Sequence, residues 1–117
     1  MDTNTPGYEY EFQFGDEVGN TDELRTMVLR SLDRLAKGHT DLIDASIAVG
    51  TEGHGETAHT FRARIVLYVR PNQIVGVETA EDPVVALRGA LDAVERQLRE
   101  KRAELGRPWE GPENPKS

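Results

Sequence analysis

The segment from Asp82 to Leu105 constrains the fold of this chain more than any other part of it. Its apolar residues recur at alternating steps of three and four, which places them on one stripe of an α-helix. The stripe consists of Val84, Leu87, Leu91, Val94 and Leu98. Asp82 can accept hydrogen bonds from the first free N–H groups, and Pro83 fits the first helical position because its missing N–H would be unpaired there. The opposite face carries arginines, so this helix either binds phosphates or is simply solvated.

A second amphipathic helix is predicted near the N-terminus, over residues 22–37. Asn20 or Thr21 can cap it, and Glu23 stands three residues after Asn20 as in a capping box. Gly38 can end the helix in a left-handed conformation. The face predicted to be buried consists of Leu24, Val28, Leu32 and Leu35, with Met27 beside them.

Four strands complete the predicted elements. The segment Tyr8–Phe14 alternates aromatic with polar residues, which is the period of a half-buried strand. In Leu42–Val49, one side is predicted to carry Ile43, Ala45, Ile47 and Val49. In the third strand, the inward residues are predicted to be Phe61, Ala63, Ile65, Leu67 and Val69. The pattern of the fourth strand, Gln73–Thr79, does not assign an inward face.

The order β-α-β-β-β-α predicts an α+β fold. A four-stranded mixed sheet would have both helices packed on one face, with the first helix crossing between parallel strands and hairpins joining the others. Residues 8–106 are predicted to form this domain. Residues 1–7 are expected to be a flexible arm, and the proline-rich residues 107–117 a disordered tail that includes Trp109.

Composition excludes several classes of protein. The 117 residues contain no cysteine, so disulfides, thiolate metal sites and cysteine nucleophiles are excluded. No apolar run reaches the length of a membrane span, and the polar N-terminus lacks the pattern of a signal peptide, so a cytoplasmic location is expected. His39, His54 and His59 lack ligand-like spacing, and no metal, cofactor or catalytic constellation is expected.

The net charge is −7, which by itself argues against nucleic acid, but the charges are unevenly distributed. Residues 22–37, 59–70 and 83–107 carry net charges of +1, +3 and +2, and the acidic surplus lies outside them. Basic residues are therefore concentrated in the predicted helices and strands, and acidic residues in the loops and termini.

The final helix resembles the ribosome hibernation factor family, which includes hibernation-promoting factor, protein Y and the sigma-modulation proteins. The residues that match the family pattern in this helix are Asp82, Ala86, Leu87, Asp92, Glu95, Arg96, Gln97 and Leu98. The first helix follows the family's rhythm of basic and aliphatic residues, and the resemblance runs from about Phe12 to Leu105. The chain also ends soon after the second helix, which suggests a short member without the extra C-terminal domain of longer ones.

The resemblance implies a non-enzymatic factor that binds small-subunit rRNA in the channel of mRNA and tRNA and keeps ribosomes inactive under stress. The rRNA-binding residues that it suggests, with neighbouring cations of the second helix, are Arg25, Arg30, Arg34, Arg88, Arg96, Arg99, Lys101 and Arg102. Arg62 and Arg64 on the third strand are additional candidates. Together the helix arginines are expected to form one continuous basic surface, which would bind RNA phosphates through the forked donors of their guanidinium groups. Neither DNA nor a membrane is an expected partner.

Two alternatives remain open at the level of sequence. The helix arginines can be a solvated face with pairs at helical spacing, such as Glu95 with Arg99 or Asp92 with Arg96. The chain can also be a protein-interaction or dimerisation module that has lost ribosome binding, which the acidic net charge favours. A weak homodimer is compatible with either function.

Overall fold

A computed structural model describes residues 7–52 and 60–105 of the chain. Its elements in chain order are β1 (Glu9–Phe14), α1 (Thr21–Ala36), β2 (Leu42–Glu52), β3 (Thr60–Val69), β4 (Asn72–Ala80) and α2 (Pro83–Leu105). The predicted β-α-β-β-β-α order and α+β class are confirmed. The predictions for residues 1–6, for His54 and His59, and for the tail with Trp109 lie outside the described residues.

The four strands form one mixed sheet in the order β1-β2-β3-β4. β1 and β2 run parallel, while β2 pairs antiparallel with β3, and β3 with β4. Parallel neighbours need a crossover, which α1 supplies, and antiparallel neighbours follow each other directly in the chain. This topology leaves β1 and β4 as the two edge strands.

Both helices cover the same face of the sheet and bury their apolar stripes against it. In α1, the predicted residues Leu24, Val28, Leu32 and Leu35 are all buried. In α2, Leu87, Leu91, Val94 and Leu98 are buried and Val84 is partly buried, while Ala86 and Ala90 add small buried contacts. α2 packs on β3 and β4, and α1 lies towards β1.

Tyr8 fastens α1 to the start of β1. Its hydroxyl donates a hydrogen bond of 2.7 Å to Oδ1 of Asp33, which lies on α1. Burial raises the pKa of the Tyr8 phenol well above its ordinary value, and the hydrogen bond to Asp33 raises it further. The phenol therefore stays protonated and acts as a permanent donor at neutral pH.

The inward face of β4, which the sequence did not assign, consists mainly of Ile74 and Gly76. Gly76 lies directly beneath α2, because a Cβ built there would be 2.6 Å from the carbonyl oxygen of Ala90 and 2.8 Å from Cγ1 of Val94. On the edge of β4, Nε2 of Gln97 donates a hydrogen bond of 2.8 Å to the carbonyl of Val75. The close approach of helix and strand thus depends on a residue without a side chain.

Two local predictions differ from the structure. Leu42, rather than Ile43, is buried, because the register of β2 against β3 shifts between Leu42 and Asp44. Asn20 occupies the cap of α1 in a left-handed conformation at φ 56° and makes no side-chain cap hydrogen bond. Gly38, by contrast, has the left-handed φ of 77° predicted for the end of α1.

Candidate nucleic-acid interface

A groove of about 530 Å³ lies between the exposed flanks of α1 and α2, and arginines line both sides of it. Arg30 and Arg34 project from α1 at a spacing of four, so they share one flank of that helix, and Arg88 faces them from α2. Asp22 and Glu23 line the N-terminal end of the same groove. The groove therefore brings together three of the predicted residues, and it carries carboxylates as well as cations.

Glu95 sits between two more of the predicted arginines. Its Oε1 lies 3.2 Å from Nη2 of Arg34, and its Oε2 lies 2.7 Å from Nη1 of Arg99. The two arginine side chains are 59% and 66% exposed, whereas that of Glu95 is 21% exposed. Because exposed ion pairs contribute little to stability, these guanidinium groups can exchange a carboxylate oxygen for a phosphate oxygen at small cost.

Arg102 lies in a different environment from the other arginines. Its guanidinium donates to both carboxylate oxygens of Asp41, at 2.9 and 2.7 Å, and to the carbonyl of Leu35 at 2.8 Å. Its side chain is 17% exposed. The hydrogen bond from Arg102 holds the pKa of the Asp41 carboxyl below its ordinary value, although partial burial opposes this. The donors of Arg102 are thus directed into the protein.

Arg25 points to the β1 side of α1, away from the groove. Its guanidinium carbon lies 5.2 Å from the ring centre of Phe12 and 5.6 Å from that of Phe14, which is the distance of cation–π contacts. With Arg62 and Arg64 it lines a concavity of about 820 Å³ at the end of β1. Arg62 and Arg64 themselves project from the face of the sheet opposite the helices.

Arg96 and Lys101 are the remaining predicted residues on α2. Arg96 is exposed and Lys101 is half-buried. Within residues 7–52 and 60–105, neither forms an ion pair, so the expected Asp92–Arg96 pair is absent while Glu95–Arg99 is present. Their spacing of five residues places them about 140° apart around α2, so they lie on different flanks of the helix.

The predicted continuous basic surface is therefore divided. Arg30, Arg34 and Arg88 meet in the groove, whereas Arg25 lies on the far flank of α1 and Arg102 is held inside. Sequence reasoning missed the part played by Glu95 and Asp41. The spacing of four predicted the contact of Glu95 with Arg99, but its contact with Arg34 joins residues 61 positions apart and leaves no local signal.

Two further observations bear on the kind of site. No cluster of three or more metal-ligating side chains occurs in the described part of the chain. Neither α1 nor α2 is both long and apolar enough to cross a membrane, within the residues that the structure covers.

Residues 14–105 match the family model described as "Sigma 54 modulation protein / S30EA ribosomal protein". The match spans the end of β1 and every later element, so the chain belongs to this family. The resemblance seen in the sequence is confirmed. No curated protein is similar enough in sequence to be counted as a relative.

Two solved structures share the fold. A ribosomal subunit interface protein from Coxiella burnetii is 13% identical, with a TM-score of 0.64 over 81% of this chain and 98% of that one. The N-terminal domain of Protein Y from Thermus thermophilus is 24% identical, with a TM-score of 0.61 over 81% of this chain and 97% of that one. At these identities the likeness establishes the architecture alone.

Proposed function

We propose that this protein is a ribosome-associated translation regulator without enzymatic activity. In this proposal it binds rRNA of the small subunit in the channel of mRNA and tRNA, and keeps ribosomes inactive under stress. The observation that carries the proposal is the family match over residues 14–105, which includes both arginine-bearing helices. The Coxiella burnetii protein of the same fold is described as a ribosomal subunit interface protein, in keeping with a ribosomal partner.

The groove between α1 and α2 supports rRNA as the ligand. Arg30, Arg34 and Arg88 present forked donors from two rigid helices, which suits contact with several phosphates at once. Folded RNA is recognised largely through its shape and backbone, so such a surface needs no base-reading motif. We assign Arg99 to the same surface, because its spacing of eleven residues from Arg88 returns it to the same flank of α2, with Arg96 beside it. Lys101 lies on the opposite flank of α2, and its role stays a prediction.

Arg102 is better assigned to the fold than to rRNA. Its donors already bind Asp41 and the carbonyl of Leu35, and breaking a partly buried pair would cost more than an exposed contact with phosphate returns. Arg25, Arg62 and Arg64 remain candidate contacts outside the groove. Their role stays a prediction.

Salt-dependent co-sedimentation with purified small subunits tests the proposal. The triple reversal Arg30→Glu, Arg34→Glu and Arg96→Glu should abolish binding, since each lost phosphate contact removes counterion release. In variants that carry one or two of these three reversals, the slope of log K against log salt should become shallower by about 0.7–0.9 for each lost contact. Circular dichroism should show that the triple variant remains folded.

A matched control distinguishes loss of a specific contact from a general effect of the more negative net charge. Lys37→Glu and Arg70→Glu make the same change of charge as Arg30→Glu and Arg34→Glu, at exposed residues outside the predicted site, and should leave most of the binding intact. Equal loss in these two double variants, or binding unchanged by the triple helix reversal, would defeat the assignment of the site.

The second candidate function is an interaction module that no longer binds ribosomes. The observation favouring it is the pairing of Arg34, Arg99 and Arg102 with carboxylates, in a chain of net charge −7. Under this alternative, wild-type protein would stay at the top of a sucrose gradient of lysate from starved cells. Under the leading proposal it migrates with small subunits or ribosomes.

A further inference from the structure

The outer face of the sheet, which points away from both helices, carries alternate side chains from all four strands. The pairing register sets them in rows across the sheet. The first row consists of Glu9, Asp44, Tyr68 and Gln73. The second consists of Glu11, Ser46, Val66 and Val75, and the third of Gln13, Ala48, Arg64 and Val77. The fourth consists of Gly50, Arg62 and Thr79.

Charge is segregated on this face. An acidic corner, formed by Glu9, Glu11 and Asp44, occupies one end of β1 and β2. A basic pair, Arg62 and Arg64, lies on β3 towards the other end. Every residue of both sets is exposed, and no ion pair joins the two sets within the described residues.

An apolar strip lies beside the charged groups. Tyr68, Val75 and Val77 are 38%, 39% and 40% exposed and are neighbours on β3 and β4, and Val66 is half-buried among them. Across β2, small side chains leave a shallow depression of about 230 Å³ between Glu11 and Arg64. The face therefore offers apolar area, a recess, and charges of both signs in separate places.

We propose that this face binds the same face of a second copy of this chain. A partner for it needs carboxylates opposite the basic pair, arginines opposite the acidic corner, and apolar side chains between them. The face itself has this arrangement. In a two-fold pair of identical surfaces each contact occurs twice, so one set of charges satisfies both halves of the interface.

The register allows the geometry to be worked out. With strands about 4.8 Å apart and same-face residues about 6.8 Å apart along a strand, the acidic corner and the basic pair lie on opposite sides of a line running past Val66. A half-turn about that line sets Arg62 of one copy opposite Glu9 of the other. The same half-turn sets Arg64 beside Asp44 and Glu11, and Tyr68 over Val77.

The size of the face limits the strength of the dimer. Four strands and four rows at the usual spacings cover about 500 Å² on each copy, which is at the low end for specific interfaces. We therefore expect a dissociation constant in the micromolar range or weaker. Both helices lie on the other side of the sheet, so this interface leaves the groove between α1 and α2 open. Of the candidate rRNA contacts it covers Arg62 and Arg64.

Sedimentation velocity over a concentration series tests the interface with two reversed proteins. One carries Arg62→Glu and Arg64→Glu, and the other carries Glu9→Arg and Glu11→Arg. Wild type should shift from monomer to dimer as concentration rises, and each reversed protein alone should dimerise at least roughly tenfold more weakly, because like charges then face each other. An equimolar mixture of the two should regain the dimer, since every contact except that of position 64 with the unchanged Asp44 is again between opposite charges.

The mixture is the decisive sample. Both reversed proteins remain net acidic, because the chain starts from −7, so general attraction does not explain a recovered dimer. A control with Lys37→Glu and Arg96→Glu changes the charge by the same amount away from the face and should dimerise as wild type does. The proposal would be overturned if wild type or the mixture stayed monomeric. It would also be overturned if reversing Arg62 and Arg64 abolished small-subunit binding but left the dimer intact.

Discussion

Arg102 and Asp41 form a two-pronged ion pair that joins the last turns of α2 to the residue just before β2. Nε of Arg102 lies 2.9 Å from Oδ2, and Nη2 lies 2.7 Å from Oδ1. The remaining nitrogen, Nη1, donates to the carbonyl of Leu35 in the last turn of α1. One guanidinium group thus connects the C-terminal ends of both helices to the start of β2.

Replacing Arg102 with alanine should destabilise the protein by about 1–3 kcal/mol, since it leaves the partly buried Asp41 carboxylate and the Leu35 carbonyl without their donor. Arg102→Lys should recover only part of this, because an ammonium lacks the planar fork. Urea unfolding measures the effect. The matched control is Arg99→Ala, which should cost less than about 0.5 kcal/mol because its ion pair is exposed; equal costs for the two variants would contradict the clamp.

The same pair should make stability depend on pH in the acid range. The bond from Arg102 lowers the folded-state pKa of Asp41 below its ordinary 3.8, so the pair contributes its full stability above that value and loses it as pH falls through the folded pKa. Chemical unfolding between about pH 5 and pH 2 should therefore show a shallower loss of free energy in Asp41→Asn than in wild type. If the unfolding free energy fell equally with pH in wild type and Asp41→Asn, the proposed contribution of the Asp41–Arg102 pair would be wrong.

Gly76 and Gly89 offer a matched test of how α2 sits on β4. A Cβ at Gly76 would meet the backbone oxygen of Ala90 at 2.6 Å, whereas one at Gly89 would lie 2.6 Å from Cγ and 3.2 Å from Cβ of the Glu78 side chain. Gly76→Ala should therefore cost about 1–3 kcal/mol through overpacking. Gly89→Ala should cost less, because the exposed Glu78 side chain can rotate away where a backbone oxygen cannot, and because alanine favours a helix by about 1 kcal/mol over glycine. Thermal melts of both variants check this, and a Gly76→Ala protein as stable as wild type would show that the helix is less closely seated.

The fold was predictable because each helix and most strands repeat their burial pattern clearly. The stripes of α1 and α2, and the alternation from Phe61 to Val69, specify both the element and its inward side. β4 could not be assigned because its pattern is inverted: Val75 and Val77 point outward, while the inward Gly76 has no side chain to signal burial. The register shift of β2 after Leu42 also left no signal in the sequence. Leu42 and Ile43 are both aliphatic, so either of them could have been the buried one.

The candidate site was less predictable than the fold. The sequence identified which arginines lie on the helices, but whether a cation is available depends on contacts between elements. Arg34 meets Glu95, and Arg102 meets Asp41, across separations of 61 residues in both cases. Helical spacing can reveal only local pairs such as Glu95–Arg99. The burial of Arg102 and the division of the basic surface therefore became visible only in three dimensions.

Glu95 should act as an internal competitor of rRNA at the proposed interface. Its carboxylate binds Arg34 and Arg99, so Glu95→Gln should release both and strengthen binding to small subunits, by roughly threefold to tenfold at low salt. Binding isotherms at several salt concentrations measure the change. Glu100→Gln is the control, since this exposed residue on α2 forms no ion pair in the described part of the chain, and it should have a smaller effect. An equal gain in affinity from Glu95→Gln and Glu100→Gln would show that only the change in net charge matters.

Hydroxyl-radical footprinting of small-subunit rRNA tests the central proposal most directly, because it reports where the protein lies as well as whether it binds. Wild-type protein should protect backbone positions that cluster in the channel of mRNA and tRNA. The triple variant Arg30→Glu, Arg34→Glu and Arg96→Glu should leave those positions open to cleavage. Protections elsewhere on the subunit, an absence of protections at saturating protein, or protections that survive the triple reversal would contradict the account.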